Sequence, residues 1–207
     1  MGISLWLVPK EADADRIKQV MRNRPTASTK SPSSFPTFHP HVTLATGPDA
    51  AALRAALPSD QPVVPVQFKS AEVGDKYFMS IYVVVHSPEG SPLENLCSHL
   101  RAALGDAAVP PIPHLSLYYI DDADKDTRLR TLQELHAHFR VIGKSVGDSV
   151  MADFNRMVGL GCYASSEPNE ADPPYILRQT ESEEIWLVRC EGPVEGWEVL
   201  EKFPLGK

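Results

Sequence analysis

The chain has 207 residues, a net charge of −7 and 43% hydrophobic residues, enough for one sizeable core. It has no apolar run long enough to cross a membrane as a helix. An acidic chain is also a poor match for long polyanions, which are bound through neutralising lysines and arginines. A small phosphate ester is compatible with this balance, because one local pocket suffices for it.

In chain order, Ile3–Val8 reads as a strand. The apolar run before Lys10 and Glu11 is too short for a secretory signal, so the expectation is a cytoplasmic protein. Ala12–Asn23 reads as a helix, with acidic residues in its first turn and Arg22 and Arg24 near its end. Residues 25–40 carry four prolines and many Ser/Thr, and read as an ordered loop or a lid. Val42–Ala45 is a short strand, and Asp49 is the N-cap of an alanine-rich helix ending near Leu57. Val63–Val73 and Tyr77–His86 read as two strands joined at Gly74-Asp75 in a hairpin.

Ser91 opens a helix to about Leu104, with Glu94 as capping-box partner. A loop with Pro110, Pro111 and Pro113 leads into a strand over His114–Ile120. Asp124–Arg140 reads as a charged helix that packs a Leu129/Leu132/Leu135/Phe139 stripe inward. Segments 141–147 and 148–160 suggest another strand or a bulged hairpin. Residues 164–183 are acidic and proline-rich, and read as an exposed insertion. Glu184–Cys190 and Trp197–Phe203 form a closing hairpin. Short hairpins mixed with helices point to an α+β fold with antiparallel sheets, all 207 residues in one domain. Cys97, Cys162 and Cys190 have no CxxC spacing and read as reduced, structural thiols.

Two strands carry one repeated string. His41-Val42-Thr43-Leu44 and His114-Leu115-Ser116-Leu117 are each preceded by proline, Pro40 and Pro113. Serine and threonine are common enough that seven histidines yield about one His-x-Ser/Thr by chance. The information therefore lies in the shared proline, aliphatic and leucine flanks. Side chains alternate along a strand, so His41 and Thr43 point to one face while Val42 and Leu44 point to the other.

The chemistry explains why such a string occurs twice. Opening a cyclic phosphodiester needs a base to activate water and an acid to protonate the departing oxygen. Histidine serves either role near neutral pH. Hydroxyls of Thr43 and Ser116 donate to non-bridging oxygens and stabilise charge without a metal. Nothing in the motifs decides which histidine is acid and which is base.

The sequence resembles the 2H phosphoesterase superfamily, and within it the cyclic phosphodiesterases of fungi and plants. The matching segments are Ser4–Pro9, Phe38–Leu44, the strand around Tyr77–Val83, Pro113–Tyr119 and Trp197–Phe203. The resemblance implies a bilobal, duplicated fold whose two antiparallel sheets face a central cleft, with helices outside. It implies hydrolysis of ADP-ribose 1″,2″-cyclic phosphate and of nucleoside 2′,3′-cyclic phosphates. It also implies roles for Tyr119, five positions after the second histidine, in contacting phosphate or water, and for Trp6 in stacking on a base or closing the pocket wall. On an ideal strand Tyr119 points away from His114, so a bulge or strand end near Tyr118 is required to turn it inward.

Other readings compete. His39 and His41 share a strand face and could chelate a metal. His136 and His138 do not share a helical face, however, and no carboxylate or cysteine completes a ligand set. The expectation is no metal and no cofactor. His86 and His99 read as solvated, and Trp186 and Trp197 as core. An RNA-end cyclic phosphodiesterase or 2′-5′ RNA ligase would share the motifs, though the acidic balance disfavours it. A non-catalytic nucleotide- or RNA-binding module would not need two acid–base groups. The expected partner is a small cyclic phosphate, handled by a monomer.

Overall fold

A computed structural model describes residues 2–24, 28–143, 157–163 and 174–206. The elements are β1 (Ile3–Pro9), α1 (Glu11–Met21), β2 (Val42–Gly47), α2 (Ala50–Ala55), β3 (Val64–Val73), β4 (Ile81–His86) and α3 (Pro92–Leu104). They continue with β5 (His114–Tyr118), α4 (Thr127–Ala137), β6 (Val141–Ile142), β7 (Gly159–Cys162), β8 (Tyr175–Leu177), β9 (Gln179–Arg189) and β10 (Glu198–Pro204). The α+β architecture with antiparallel sheets is as expected.

Seven strands form one hydrogen-bonded sheet in the order β1-β2-β5-β4-β3-β9-β10, with β1 also paired to β9. Within it lie two groups, β2-β1-β9-β10 and β5-β4-β3. Val42 opposite Leu115 is the one bridge between β2 and β5, and four pairs join β3 to β9. The two motif strands therefore meet where the groups barely touch. Their buried aliphatics, among them Leu5, Leu7, Leu44, Val83, Leu115 and Leu187, form one core with Ile17 and Val20 of α1 and Leu93, Leu96 and Leu100 of α3. Each such side chain contributes about 2 kcal/mol when fully buried.

The helix starts follow from the capping residues. Asp49 accepts from the backbone N–H of Ala51, and Ser91 from that of Glu94. The Glu94 carboxylate reaches back to Gly90 N–H rather than to Ser91, so the box closes one residue early.

Both motif strands carry a bulge at the same place. Against β1, Leu5 faces Ala45 and Trp6 faces Thr43, which leaves Leu44 without a partner. Against β4, Ile81 faces Tyr118 and Tyr82 faces Ser116, which leaves Leu117 without one. Both leucines are fully buried. An extra residue reverses the alternation beyond it. Thr46 and Tyr119 consequently face the same way as the histidines five positions before them.

Several expectations are corrected. Tyr77–His86 is not one strand: Tyr77–Met79 is a turn of 3-10 helix, and β4 begins at Ile81. Ser80 causes the break. It is fully buried, and its hydroxyl lies 2.8 Å from the Tyr77 carbonyl and 3.1 Å from the Ile120 carbonyl while accepting from Ile120 N–H. Helix α4 is rotated from the expected stripe. Leu132 and Leu135 are buried, but Leu129 and Phe139 are exposed, and Arg128 and Thr131 point inward instead. The reason is polar: the Arg128 guanidinium serves the carbonyls of Gly74, Asp75 and Ile120 and the Asp122 carboxylate. Buried carbonyls without donors cost more than an exposed leucine does.

The expected insertion at 164–183 is only partly described, since 164–173 lie outside the described residues. The remainder is not an exposed loop. Tyr175–Leu177 pairs with β7, and β9 starts at Gln179, with Thr180 and Ser182 buried against β3 and β1. Of the segments 141–160, Val141–Ile142 and Gly159–Cys162 pair antiparallel, and 144–156 lie outside the described residues. In the loop after α1, residues 30–35 are fixed. Buried Asp124 accepts from Lys30 N–H, Ser31 N–H and the Ser34 hydroxyl, and Phe35 N–H donates to the Tyr119 carbonyl.

Ser80→Ala leaves the Ile120 N–H buried without an acceptor. The expected cost is about 1–3 kcal/mol in urea unfolding; a variant within 0.3 kcal/mol of wild type, roughly the error of the method, would show that this hydroxyl does not hold the turn.

Candidate active site

Each motif histidine is held in the same way. His41 Nδ1 lies 2.7 Å from the carbonyl oxygen of His39. His114 Nδ1 lies 2.9 Å from the carbonyl oxygen of Ile112. A carbonyl only accepts, so Nδ1 carries the proton in both rings and Nε2 is left as the chemically active nitrogen. The prolines explain the repetition. The residue before a proline is biased to extended backbone, which suits the carbonyls of His39 and Ile112 to their place beside the ring two positions on.

The two rings line one cleft of about 690 Å³, together with Thr43, Ser116, Trp6 and Tyr119. All six residues expected from sequence are thus brought together. Tyr119 reaches the cleft because of the bulge at Leu117, the feature its placement required.

The contacts refine the expected parts. Trp6 does not present a free face. Its ring stacks on His41 with centroids 3.6 Å apart and planes 7° from parallel, and it meets Trp197 on a tilt. It therefore fixes the imidazole plane and excludes water from it. Tyr119 is buried and stacks on Phe38 at 4.1 Å. Burial raises the pKa of its phenol, against the opposing influence of Ser116, so it stays protonated. The Ser116 hydroxyl donates to the Phe78 carbonyl at 2.7 Å, so it must rotate before it can donate to a ligand. The Thr43 hydroxyl has no hydrogen-bond partner among the described residues.

Burial dominates the electrostatics. It drives the His41 pKa down to about 3, against the opposing pull of the His39 carbonyl. His114 is lowered for the same reason and is more exposed. Both rings are neutral at pH 7 in the empty cleft. His39 does not join them in a chelating pair. Strand β2 starts only at Val42, and the His39 ring packs on Trp186 at 4.5 Å, in a neighbouring hollow lined also by Lys18 and Lys202. His136 lies on α4 and His138 at its C-terminal cap. Among the described residues there is no group of three or more His, Cys, Asp or Glu side chains suited to a metal ion.

Sequence reasoning missed other walls of the cleft: Phe78, Lys76, Thr46, Cys190 and Trp197. Reading 77–86 as one strand hides Phe78, and reading Gly74-Asp75 as a plain hairpin turn leaves Lys76 beside it without a role. Gly74 was the available signal, since a Cβ there would lie 2.3 Å from the Met79 carbonyl oxygen. Trp197, read as core, forms a wall with Phe78, 5.9 Å between centroids.

A family model described as cyclic phosphodiesterase-like protein matches residues 1–106 and 111–205. The chain belongs to the cyclic phosphodiesterase-like family. That places it in the 2H phosphoesterase superfamily and makes it a phosphoesterase. The fold agrees. Escherichia coli LigT complexed with 3′-AMP superposes with a TM-score of 0.51 at 16% identity, covering 100% of this chain and 98% of that one. A structure described only as a phosphoesterase gives 0.51 at 16% identity, covering 99% and 98%. At this identity the likeness concerns the fold alone. A search of curated proteins gave no match. Among the described residues of this family member, no helix is long and apolar enough to cross a membrane.

The buried imidazole makes a stability prediction. In the unfolded chain His41 titrates near 6.5, and in the folded chain near 3. As pH falls below about 6.5 the unfolded state takes up a proton that the folded state refuses. Stability is therefore lost from about pH 6.5 downward, at up to about 1.4 kcal/mol per pH unit for this group. Histidine NMR should show His41 as the neutral Nδ1–H tautomer at pH 5, and Trp6→Ala should raise its pKa toward 6.5. A wild-type His41 already protonated at pH 6 would refute the burial argument.

Proposed function

We propose that this cleft hydrolyses cyclic phosphodiesters with His41 and His114 as its acid–base pair. The substrates are ADP-ribose 1″,2″-cyclic phosphate, opened to ADP-ribose 1″-phosphate, and nucleoside 2′,3′-cyclic phosphates, opened to nucleoside 2′-phosphates. The observation that carries the reading is the matched pair of imidazoles. Each is anchored through Nδ1 to a carbonyl two residues upstream, and each lines the same cleft beside a hydroxyl residue. A structural histidine needs no twin with the same anchor. A cleft of about 690 Å³ also falls in the range used for small ligands, and the 3′-AMP bound in the E. coli LigT structure supports a nucleotide here.

In the proposed reaction the Nε2 of one histidine takes a proton from water as the oxygen attacks phosphorus. For a nucleoside substrate the new P–O bond forms as the P–O3′ bond breaks. The Nε2–H of the other histidine protonates the leaving O3′, so the product keeps its phosphate on O2′. Thr43 and, after rotating away from the Phe78 carbonyl, Ser116 donate to the non-bridging oxygens, where negative charge accumulates. Tyr119, kept neutral by burial, supplies a further O–H. The anchored carbonyls matter in both halves of the cycle. They fix the rings and stabilise whichever imidazole becomes cationic.

An RNA-end reaction would use the same parts. The bulk charge of −7 does not favour a long RNA, so the small cyclic phosphate is the preferred reading.

His41→Ala and His114→Ala should each lower kcat by about three orders of magnitude or more, with folding retained, as general acid–base roles of this size imply. Thr43→Ala should lower it by about 10- to 100-fold, and EDTA should leave turnover unchanged. Unaltered turnover in both histidine variants would sink the proposal.

Both histidines are depressed in the empty cleft, so the bell for kcat/KM should lie low, with its alkaline limb below 6.5. A bound phosphate monoanion favours the imidazolium, so the kcat profile should shift to higher pH. A profile flat from about pH 5 to 8 would count heavily against the pair.

A further inference from the structure

Of the described residues that line the cleft, Lys76 alone carries a formal charge; no aspartate, glutamate or arginine lines it. The histidines there are neutral when it is empty. Lys76 is exposed at the rim and, like several other surface lysines and arginines, makes no ion pair among the described residues; what sets it apart is its place in the cleft wall.

Its backbone is far from loose. Arg128, buried on α4, donates to the carbonyls of Gly74 and Asp75 just before it, at 3.3 and 2.8 Å. The Lys76 carbonyl accepts from Met79 N–H at 3.0 Å and lies 3.3 Å from the Ser80 hydroxyl. Ser116, in the second motif, donates to the Phe78 carbonyl at 2.7 Å. The segment 74–80 is thus pinned to the motif strand and to α4 by three side chains. It carries an unpaired cation on a flexible stem at the edge of an otherwise uncharged cleft, in a protein of net charge −7.

From this geometry we infer that Lys76 is a specificity-determining residue: it binds a second phosphate of the substrate, one outside the ring being opened. The inference rests on the cyclic phosphodiesterase reading and adds a substrate preference to it. The scissile cyclic phosphate carries one negative charge, and the hydroxyls and an imidazolium deal with it deep in the cleft. A further phosphate, as in a 5′-phosphorylated nucleoside cyclic phosphate or a diphosphate-linked one, would protrude toward the rim. The one cation among the described lining residues stands there. A lysine ammonium suits this task, because it is a point charge that can follow a phosphate held on a flexible linkage. At an exposed rim the contact is worth a modest factor, about fivefold, and is weakened by salt.

The test compares adenosine 2′,3′-cyclic phosphate with its 5′-phosphorylated form. The wild type should favour the 5′-phosphorylated substrate by about fivefold in kcat/KM at low salt, mostly through KM. In Lys76→Ala the ratio should fall to about one, in Lys76→Glu it should invert, and in Lys76→Arg it should persist. A ratio unchanged in Lys76→Ala and Lys76→Glu would overturn the assignment. Titration calorimetry with adenosine 2′-phosphate and adenosine 2′,5′-bisphosphate in the same variants reads the preference without turnover. A wild type that hydrolyses neither substrate would refute the proposed reaction. A Kd ratio that Lys76→Ala leaves untouched would refute the role of Lys76, whatever the turnover.

Discussion

The arrangement of this site depends on one extra residue in each motif strand. Leu44 and Leu117 have no cross-strand partner, and both are driven into the core by the aliphatic surface they bury. A strand that bulges inward at this point must re-aim everything after it. Before the bulge the alternation sends His41, Thr43, His114 and Ser116 to the cleft. After it, Thr46 and Tyr119 face the cleft, and Tyr118 turns inward so that its hydroxyl reaches the Val20 carbonyl. Without the bulge Tyr119 would be core and Tyr118 would crowd the histidine. The packing of two leucines therefore sets the number of polar groups that converge on one point.

The bulges work together with the prolines. Pro40 and Pro113 lie on the other side of each histidine, where they bias the preceding residue to an extended form and bring its carbonyl to Nδ1. Each motif is thus bounded by a backbone constraint before the ring and a packing constraint after the hydroxyl. The histidine between them has little freedom. In the first motif Trp6 removes the rest of it by lying flat on the ring. Burial of this kind depresses basicity, and the empty cleft holds two neutral imidazoles. The carbonyls on Nδ1 oppose this depression, and an anion between the rings adds to their pull. Apart from Lys76 at its rim, a site built this way has no charge of its own among the described lining residues.

A second tier of contacts holds the far wall. Ser80 and Arg128 interrupt what would otherwise be a longer strand and a more apolar helix face. Both do so by satisfying backbone groups: the single Ser80 hydroxyl proton lies between the Tyr77 and Ile120 carbonyls while its oxygen accepts from Ile120 N–H, and Arg128 donates to the carbonyls of Gly74, Asp75 and Ile120. These residues never touch the histidines, yet they fix the short turn that presents Phe78 and Lys76 to the cleft. Local propensity yields here because an unpaired carbonyl costs more than a displaced leucine.

The order of helices and antiparallel strands, the caps at Asp49 and Ser91, and the two histidine–hydroxyl pairs were all legible in the sequence. Each rests on local chemistry: side-chain alternation, capping hydrogen bonds, or a repeated string of residues. Even the need for a bulge before Tyr119 could be read, because an odd spacing contradicts strand alternation. What the sequence left open were features set by partners distant along the chain. The inward turn of Arg128, the break at Ser80, and the entry of residues 175–182 into the sheets each depend on a group tens of residues away. Likewise Trp6, expected to stack on a base or to close the pocket wall, lies flat on His41, while Trp197, expected in the core, lines the cleft. Aromatic residues at strand positions bury well in either place, and only the tertiary arrangement decides which ring meets which.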